Sequence, residues 1–305
     1  MTIINRSPRT LLGAAALVLA TTPVPTLAAS GKLLLTGGVS TIDGAAGGGI
    51  SPWAVTGSYA TAGQWGATAF ATRAKTGDYA LTTYGAAAAW SDRVEVSLAR
   101  QDFDTGKNLA ALGLSGLHLK QDIAGLKLRV AGDAVLDSDT WMPQWAVGLL
   151  NKRADTGALE PTLTGALGAK ESGTEFYVSA TKLFLAPGVL VNLTLRATQA
   201  NQGGLLGFSG AQGSGRKLQP EVSVAYLLNR NLVVGLEARA KPDNLNKSVL
   251  GAGALKEDDW YDVFVAWAPS KHVSLTLAWV DLGRIVPALQ PKRQTGAYLS
   301  AQVGF

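Results

Sequence analysis

From residue 189 to its end, this chain changes polarity at every residue along one stretch after another. Val191, Leu193, Leu195 and Ala197 oppose Asn192, Thr194, Arg196 and Thr198. Val222, Val224, Tyr226 and Leu228 share a side, and the chain returns with Leu232, Val234, Leu236 and Ala238 against Val233, Gly235, Glu237 and Arg239. Tyr261, Val263, Val265 and Trp267 alternate with Asp262, Phe264 and Ala266; Val273, Leu275, Leu277 and Trp279 alternate with His272, Ser274, Thr276 and Ala278. A period of two is the signature of a β-strand with two unlike faces. A soluble sandwich alternates as well. What separates the cases is how the stretches are joined.

Counting back from the C-terminus, the connections are 283–294, 269–270, 241–257, 229–230, 200–217, 186–188 and 152–173, alternately long and short. Outer-membrane barrels have short turns on one side and long loops on the other. The expected fold is therefore all-β, a transmembrane antiparallel β-barrel. Strands are expected near 52–60, 64–72, 78–90, 92–101, 110–119, 122–132 and 141–151, and seven more are centred near 180, 194, 224, 236, 264, 277 and 300. That makes about 14 strands, with 12 or 16 as the neighbouring even solutions.

Both ends agree with export to an outer membrane. Arg6 and Arg9 precede the apolar stretch Leu11–Ala20, then Pro23, Pro25 and the small residues Ala28, Ala29 and Ser30. That order is a secretory signal peptide, expected over 1–29, with an apolar stretch too short to span as a helix. The segment 30–50, with glycines between Gly44 and Gly49, is expected to be periplasmic or lumenal, and 51–305 to form the barrel. At the other end, Ala297, Leu299, Ala301, Val303 and Phe305 share one face. Tyr298, Val303 and Phe305 resemble the C-terminal signal that bacterial barrels present to their assembly machinery, although Ser300 stands where that pattern has glycine. The expected location is the Gram-negative outer membrane, with membrane lipid, lipopolysaccharide and the assembly machinery as partners.

Composition removes other classes. The chain has no cysteine, hence no disulfide frame, no thiolate metal site and no acylated lipoprotein anchor. A net charge of +5 without a dense basic block gives no case for nucleic acid. The mean hydropathy of +0.15 suits a barrel whose lipid-facing and water-facing residues average out. The two histidines, His118 and His272, offer little for catalysis: His272 stands two residues from Ser274, but no motif surrounds that serine. Two acidic clusters precede tryptophans, Asp133, Asp137 and Asp139 before Trp141, and Glu257, Asp258 and Asp259 before Trp260. Neither has calcium-loop spacing, and no metal or cofactor is expected.

Several segments carry a family resemblance. Gly31–Ser40 (GKLLLTGGVS), Ala131–Asp137 (AGDAVLD), Tyr177–Leu185 (YVSATKLFL) and Asp258–Pro269 (DDWYDVFVAWAP) are similar to a proteobacterial domain-of-unknown-function family, DUF3034. The resemblance covers nearly all of the chain after the signal peptide and implies an outer-membrane barrel, without activity or functional residues. Residues 121–200 show a weaker similarity to barrels associated with exopolysaccharide export.

Function is therefore expected in the lumen. Arg93, Glu95, Arg196, Glu237 and Arg239 lie on the faces opposite the apolar ones and are the candidate lumen-lining residues. They would either filter solutes in a water-filled conduit or pair across a sealed barrel. Small inward residues such as Gly235, Ala266, Ala278 and Gly304 favour the conduit. The expected function is a passive channel or uptake pore for small solutes, with no covalent chemistry. The alternative is a non-conducting barrel serving envelope structure or polysaccharide export; a lipid-modifying enzyme comes last.

Overall fold

The computed structural model describes residues 32 and 34–305, apart from 136–139, 212, 214, 247 and 248. The expected signal peptide and Asp137 and Asp139 lie outside the described residues. A two-stranded hairpin, β1 (Val39–Ser40) and β2 (Ala46–Gly47), precedes the barrel strands. These are β3 (Trp65–Thr76), β4 (Ala80–Trp90), β5 (Val94–Asp104), β6 (His118–Ala131), β7 (Gln144–Asp155) and β8 (Ser172–Phe184), then β9 (Val189–Thr198), β10 (Lys217–Asn229), β11 (Leu232–Arg239), β12 (Trp260–Ser270), β13 (Val273–Asp281) and β14 (Thr295–Gly304). Strands β3 to β14 pair antiparallel, each with its neighbour in sequence. The sheet closes where β14 meets β3, with Ser300 opposite Thr72 and their hydroxyls 2.7 Å apart inside the barrel.

The barrel has 12 strands, and two expected strands are missing for different reasons. Residues 52–60 were expected as a strand, yet Trp53, Ala54 and Val55 are all buried. That stretch lies within the barrel and has no lipid face. The sequence suggests two strands, 110–119 and 122–132, parted at Lys120 and Gln121, but one strand, β6, starts only at His118 and runs unbroken through those two residues. What precedes it is a single 3₁₀ turn over Ala110–Leu112, ended by Gly113 at φ 73° and followed by Gly116 at φ 72°. Both backbone positions are left-handed, which glycine tolerates and a strand does not.

The seven long and short connections after β7 stand as the sequence indicates. Two departures fall earlier: the β3–β4 link, 77–79, is short on the long-loop side, and the β6–β7 link, 132–143, is long on the short-turn side. Outward-facing positions carry exposed Leu98, Val96, Leu193, Val263, Leu277 and Leu299. Trp65 and Trp90 meet at the short-turn rim with their rings tilted by 42°, 6.3 Å between centroids. Trp267 lies toward the same rim, and Tyr261 and Trp279 toward the other, all exposed. This is an apolar band between two aromatic girdles.

Three inward glycines stand directly opposite an aromatic residue on the next strand: Gly85 opposite Phe70, Gly148 opposite Tyr177 and Gly235 opposite Phe264. A Cβ at Gly85, Gly148 or Gly235 would run into that partner's ring. The room left by Gly235 is therefore taken by a wall ring and is not free lumen. Gly148→Val or Gly235→Val is expected to destabilise the barrel by about 1–3 kcal/mol, the usual cost of forcing extra methyl groups into a packed site. Urea unfolding followed by tryptophan fluorescence measures it, and an unchanged midpoint would refute the packing role.

Candidate functional site

The lumen is occupied by the chain's own N-terminal segment. At the short-turn rim, Lys32 reaches Asp92 at 2.5 Å and the Thr56 hydroxyl at 2.7 Å, joining the two arms of the segment. Between these arms the β1–β2 hairpin pairs Val39 with Gly47 and Ser40 with Ala46. Gly44, at φ 92°, turns the chain at the tip. Ser40 donates through its amide and hydroxyl to the Gln302 side chain of β14, at 2.6 and 2.7 Å.

Asp43 sits at that tip, 4% exposed, among three cations from three strands. Lys152 of β7 lies 2.8 Å away, Arg239 of β11 3.1 Å and Arg196 of β9 3.5 Å. Two wall carboxylates complete the group. Glu175 pairs with Lys152 at 2.8 Å and Arg196 at 3.1 Å; Glu221 pairs with Arg196 at 2.5 Å and Arg239 at 3.4 Å. Burial opposes the Asp43 charge, but Lys152, Arg239 and Arg196 together outweigh it and hold the carboxyl well below its ordinary pKa. With Asp43 in place, three cations face three carboxylates. Without it the wall would keep an uncompensated buried charge, which is strongly unfavourable.

Along the rest of the segment, wall side chains satisfy the backbone. Glu95 accepts from the amides of Ala46 at 3.0 Å and Gly57 at 2.7 Å, while Lys127 donates to the carbonyls of Ala46 and Val55 at 2.8 and 2.9 Å. Glu237 accepts from the Ile50 amide at 2.9 Å, and any Cβ at Gly48 would collide with the Glu237 carboxylate. The Trp53 indole donates to Ser223 at 2.9 Å, the Ala54 amide to Thr181 at 2.8 Å, and Pro52 accepts from Thr194 at 2.7 Å. A glycine-rich chain in a lumen has no ladder of its own, so its polar groups need these partners.

Of the residues expected to line the lumen, Glu95, Arg196, Glu237 and Arg239 are all buried within it. Arg93 is not among them; it is exposed in the turn before β5. Tyr298 is buried on the inward face, whereas Val303 and Phe305 point outward. Asp43, Lys127, Lys152, Glu175 and Glu221 belong to the same network and went unnoticed in the sequence. The last four sit at inward positions of their strands, a legible signal; Asp43 sits in a segment without alternation.

On the long-loop side, the loops reach the same network and one another. Lys152 also donates to the Gly203 carbonyl at 3.0 Å, in the β9–β10 loop. Next to it, Gln202 donates from its amide to Glu257 at 2.9 Å and from its side chain to the Ile285 carbonyl at 2.7 Å. Lys241 pairs with Glu257 at 3.0 Å, and Asp258 with Arg284 at 2.8 Å. Asp259 accepts from the Lys241 amide, so Glu257 and Asp259 both engage Lys241 and Asp258 turns to Arg284. Asp133 pairs with Arg129 at 2.9 Å. Among the described residues no three acidic or histidine side chains converge as a metal site would require. His272 is exposed and engaged with the Gly304 carbonyl at 2.9 Å, while Ser274 is buried on the inward face; His118 contacts Asp102 outside the barrel.

A family of proteins of unknown function, DUF3034, matches residues 36–302. The chain belongs to that family. No curated protein matches it. Among solved structures, the NanC porin is similar with a TM-score of 0.50 at 8% identity, covering 78% of this chain and 98% of its own. The KdgM porin in complex with disordered oligogalacturonate gives 0.48 at 8% identity, over 78% and 99%. Outer membrane phospholipase A from Escherichia coli gives 0.42 at 10% identity, over 77% and 92%. At 8% identity the likeness to the NanC porin shows the fold alone, that of an outer-membrane barrel.

Asp43→Ala is expected to cut hydrogen-exchange protection at the amides of Ala46 and Ile50 by roughly 100-fold, the equivalent of about 3 kcal/mol for stranding a buried charge. Unchanged protection would show that the ion pairs do not hold the segment. A pH effect is expected in the loops of the long-loop side. The Arg284 hydrogen bond lowers the Asp258 pKa to about 2 against partial burial. A lowered carboxylate stabilises above its ordinary pKa and loses that contribution as pH falls toward the folded value. Pepsin cleavage in 241–257 should therefore rise steeply between about pH 4 and 2, and Asp258→Asn should flatten that rise.

Proposed function

We propose that this protein is a gated uptake channel of the Gram-negative outer membrane, closed at rest by its own N-terminal segment. The observation that carries this reading is the manner of closure. The segment is held by side chains of the wall, with Asp43 as its latch, and takes no part in the ladder that closes the barrel. It can leave without unpairing a strand. On this reading the short turns, the C-terminal Phe305 and the entry of the segment face the periplasm, and the long loops face outside. Phe305, Val303 and Tyr298 serve assembly, and export begins with the signal peptide over 1–29. Release of the segment would expose a lumen of Ser, Thr, Asn and charged groups, in which Arg196, Arg239 and Lys152 would face only Glu175 and Glu221. Small solutes able to hydrogen-bond would pass; no covalent step is involved.

A second reading has its own support. Ile42, Ile50, Trp53 and Val55 of the segment are buried in one apolar cluster with Phe264, Ala266 and Ala278 of the wall. Packing of that kind suits a permanently sealed barrel, serving envelope structure or polysaccharide export.

Single-channel recording in planar bilayers decides between them. The native barrel is expected to give brief, discrete openings, and Asp43→Ala to lengthen them at least tenfold. Because the chain has no cysteine, Ala54→Cys with Thr181→Cys ties the segment to β8 without side reactions. The oxidised pair should be silent and regain openings on reduction. If Asp43→Ala folds, loses amide protection and still passes no current, the channel reading fails and the sealed barrel stands.

A further inference from the structure

Among the described residues, the buried carboxylates inside this barrel are matched by cations, with one exception. Glu95 meets Lys127 at 3.1 Å, Glu257 meets Lys241 at 3.0 Å, and Asp43, Glu175 and Glu221 share Lys152, Arg196 and Arg239. Glu237 and Asp262 have no such partner among the described residues. They stand directly opposite each other on β11 and β12, both inward, 1% and 5% exposed. Their carboxyls lie within hydrogen-bonding reach of one another. Arg239, two residues along β11, is engaged with Asp43 at 3.1 Å and Glu221 at 3.4 Å.

The surroundings are apolar. On the inward face of β12, Asp262 lies between Trp260 and Phe264, and its neighbour in register on β13 is the buried Val280. These three belong to one buried cluster with Ile50 and Trp53 of the N-terminal segment. Two carboxyls sharing such a place do not both stay ionised, and one proton between them removes both the repulsion and a buried charge. The hydrogen bonds show which of the two carries it. Glu237 accepts from the Ile50 amide at 2.9 Å on Oε2 and from the Ser223 hydroxyl at 2.5 Å on Oε1. The Ser223 oxygen accepts from the Trp53 indole at 2.9 Å, leaving its own proton for Glu237. Both Glu237 oxygens are therefore acceptors, the pattern of a carboxylate. Asp262 Oδ1, in contrast, finds no donor among the described residues. A neutral Asp262 whose O–H donates to Glu237 suits both groups.

We propose that Glu237 and Asp262 bind one proton between them, carried on Asp262, and that this proton keeps the N-terminal segment seated. The pair touches the segment directly. Ile50 gives its amide to Glu237 and takes a hydrogen bond on its carbonyl from Arg239 at 3.1 Å. Gly48 lies so close to the Glu237 carboxylate that any Cβ there would collide with it. Loss of the proton leaves two facing anions, and Glu237 cannot draw back from Asp262 without disturbing the segment. A proton held in the seated state and given up in the released one favours seating at low pH, and that favour is lost as the pH rises. The other charged or titratable groups around the pair are Arg239 on β11, Glu221 on β10, Tyr298 on β14 and, through Arg239, Asp43 of the segment. From β13 the inward residues Ser274, Thr276, Ala278 and Val280 add no charge. That the proton gates uptake rests on the channel reading; that it is bound does not.

The test is hydrogen exchange at the Ile50 amide of the full chain folded in detergent micelles, expressed as protection relative to unstructured peptide at the same pH. The ladder amides of β13 serve as the control for opening of the barrel itself. Between about pH 6 and 10, protection of Ile50 in the native barrel is expected to fall while that of β13 holds. Its steepest fall should approach about tenfold per pH unit, the limit for one proton. Asp262→Asn keeps the shape and a donor but cannot ionise, and should hold Ile50 protection constant with pH. Should that variant not fold, Glu237→Gln removes the second charge from the other side and should flatten the response as well. The proposal falls if native protection of Ile50 does not change with pH, or if the change survives Asp262→Asn. It falls too if β13 loses protection alongside, since the barrel rather than the segment has then opened, or if EDTA strips Ile50 of protection at neutral pH, since a metal ion is then the occupant. A barrel that shows the Ile50 response but never conducts keeps the proton site and discards the channel. A conducting barrel without that response does the reverse.

Discussion

In hydrocarbon no water is present to satisfy a backbone amide, so a sheet that crosses must close on itself. Everything else in this protein follows from the seam between Ser300 and Thr72. Closure at 12 strands fixes the bore, and the period of two places every second side chain inside it. The chain puts Lys127, Lys152, Arg196, Arg239, Glu95, Glu175, Glu221 and Glu237 at such positions, and each is almost wholly buried. Ionised groups confined in that way require partners. The wall supplies most of them to itself, and Asp43 of the N-terminal segment supplies the balance to Lys152, Arg196 and Arg239.

The two kinds of adhesion along the segment differ in what they ask of it. Ion pairs and amide bonds demand a defined path, which is why Gly48 lies against Glu237 where no side chain could. Apolar contacts at Ile42, Ile50 and Trp53 demand only burial. The first kind confers position, the second adhesion. Neither involves the strand ladder that closes the barrel.

The loops of the long-loop side repeat this logic in smaller compass. Gln202 and Glu257 draw the β9–β10 loop toward the β11–β12 and β13–β14 loops, and the space these leave is an apolar cavity under Tyr79 and Phe103. The cavity and the latch meet at adjacent residues, Gln202 and Gly203.

By itself, the sequence determined what depends on neighbours along the chain. Alternation named the strands from β8 onward and their lipid faces, and connection lengths gave the two sides. Parity put Glu95, Arg196, Glu237 and Arg239 inward, where they are found. It failed where one-sided burial fails: residues 52–60 read as a strand but are surrounded on all sides, and β6 continues through Lys120 and Gln121 because both of its faces tolerate polar groups near the long-loop end. Arg93 was misplaced because a tight turn, with Ser91 and Asp92 at φ 57° and 52°, precedes β5 and releases that side chain outward. Only tertiary structure decided that Asp43 meets Lys152, Arg196 and Arg239, residues far apart in the chain. It alone assembled Tyr79, Leu205, Trp260 and Ile285 into one cavity. Such encounters depend on strand number and register around a closed ring, and no local pattern of polarity encodes either.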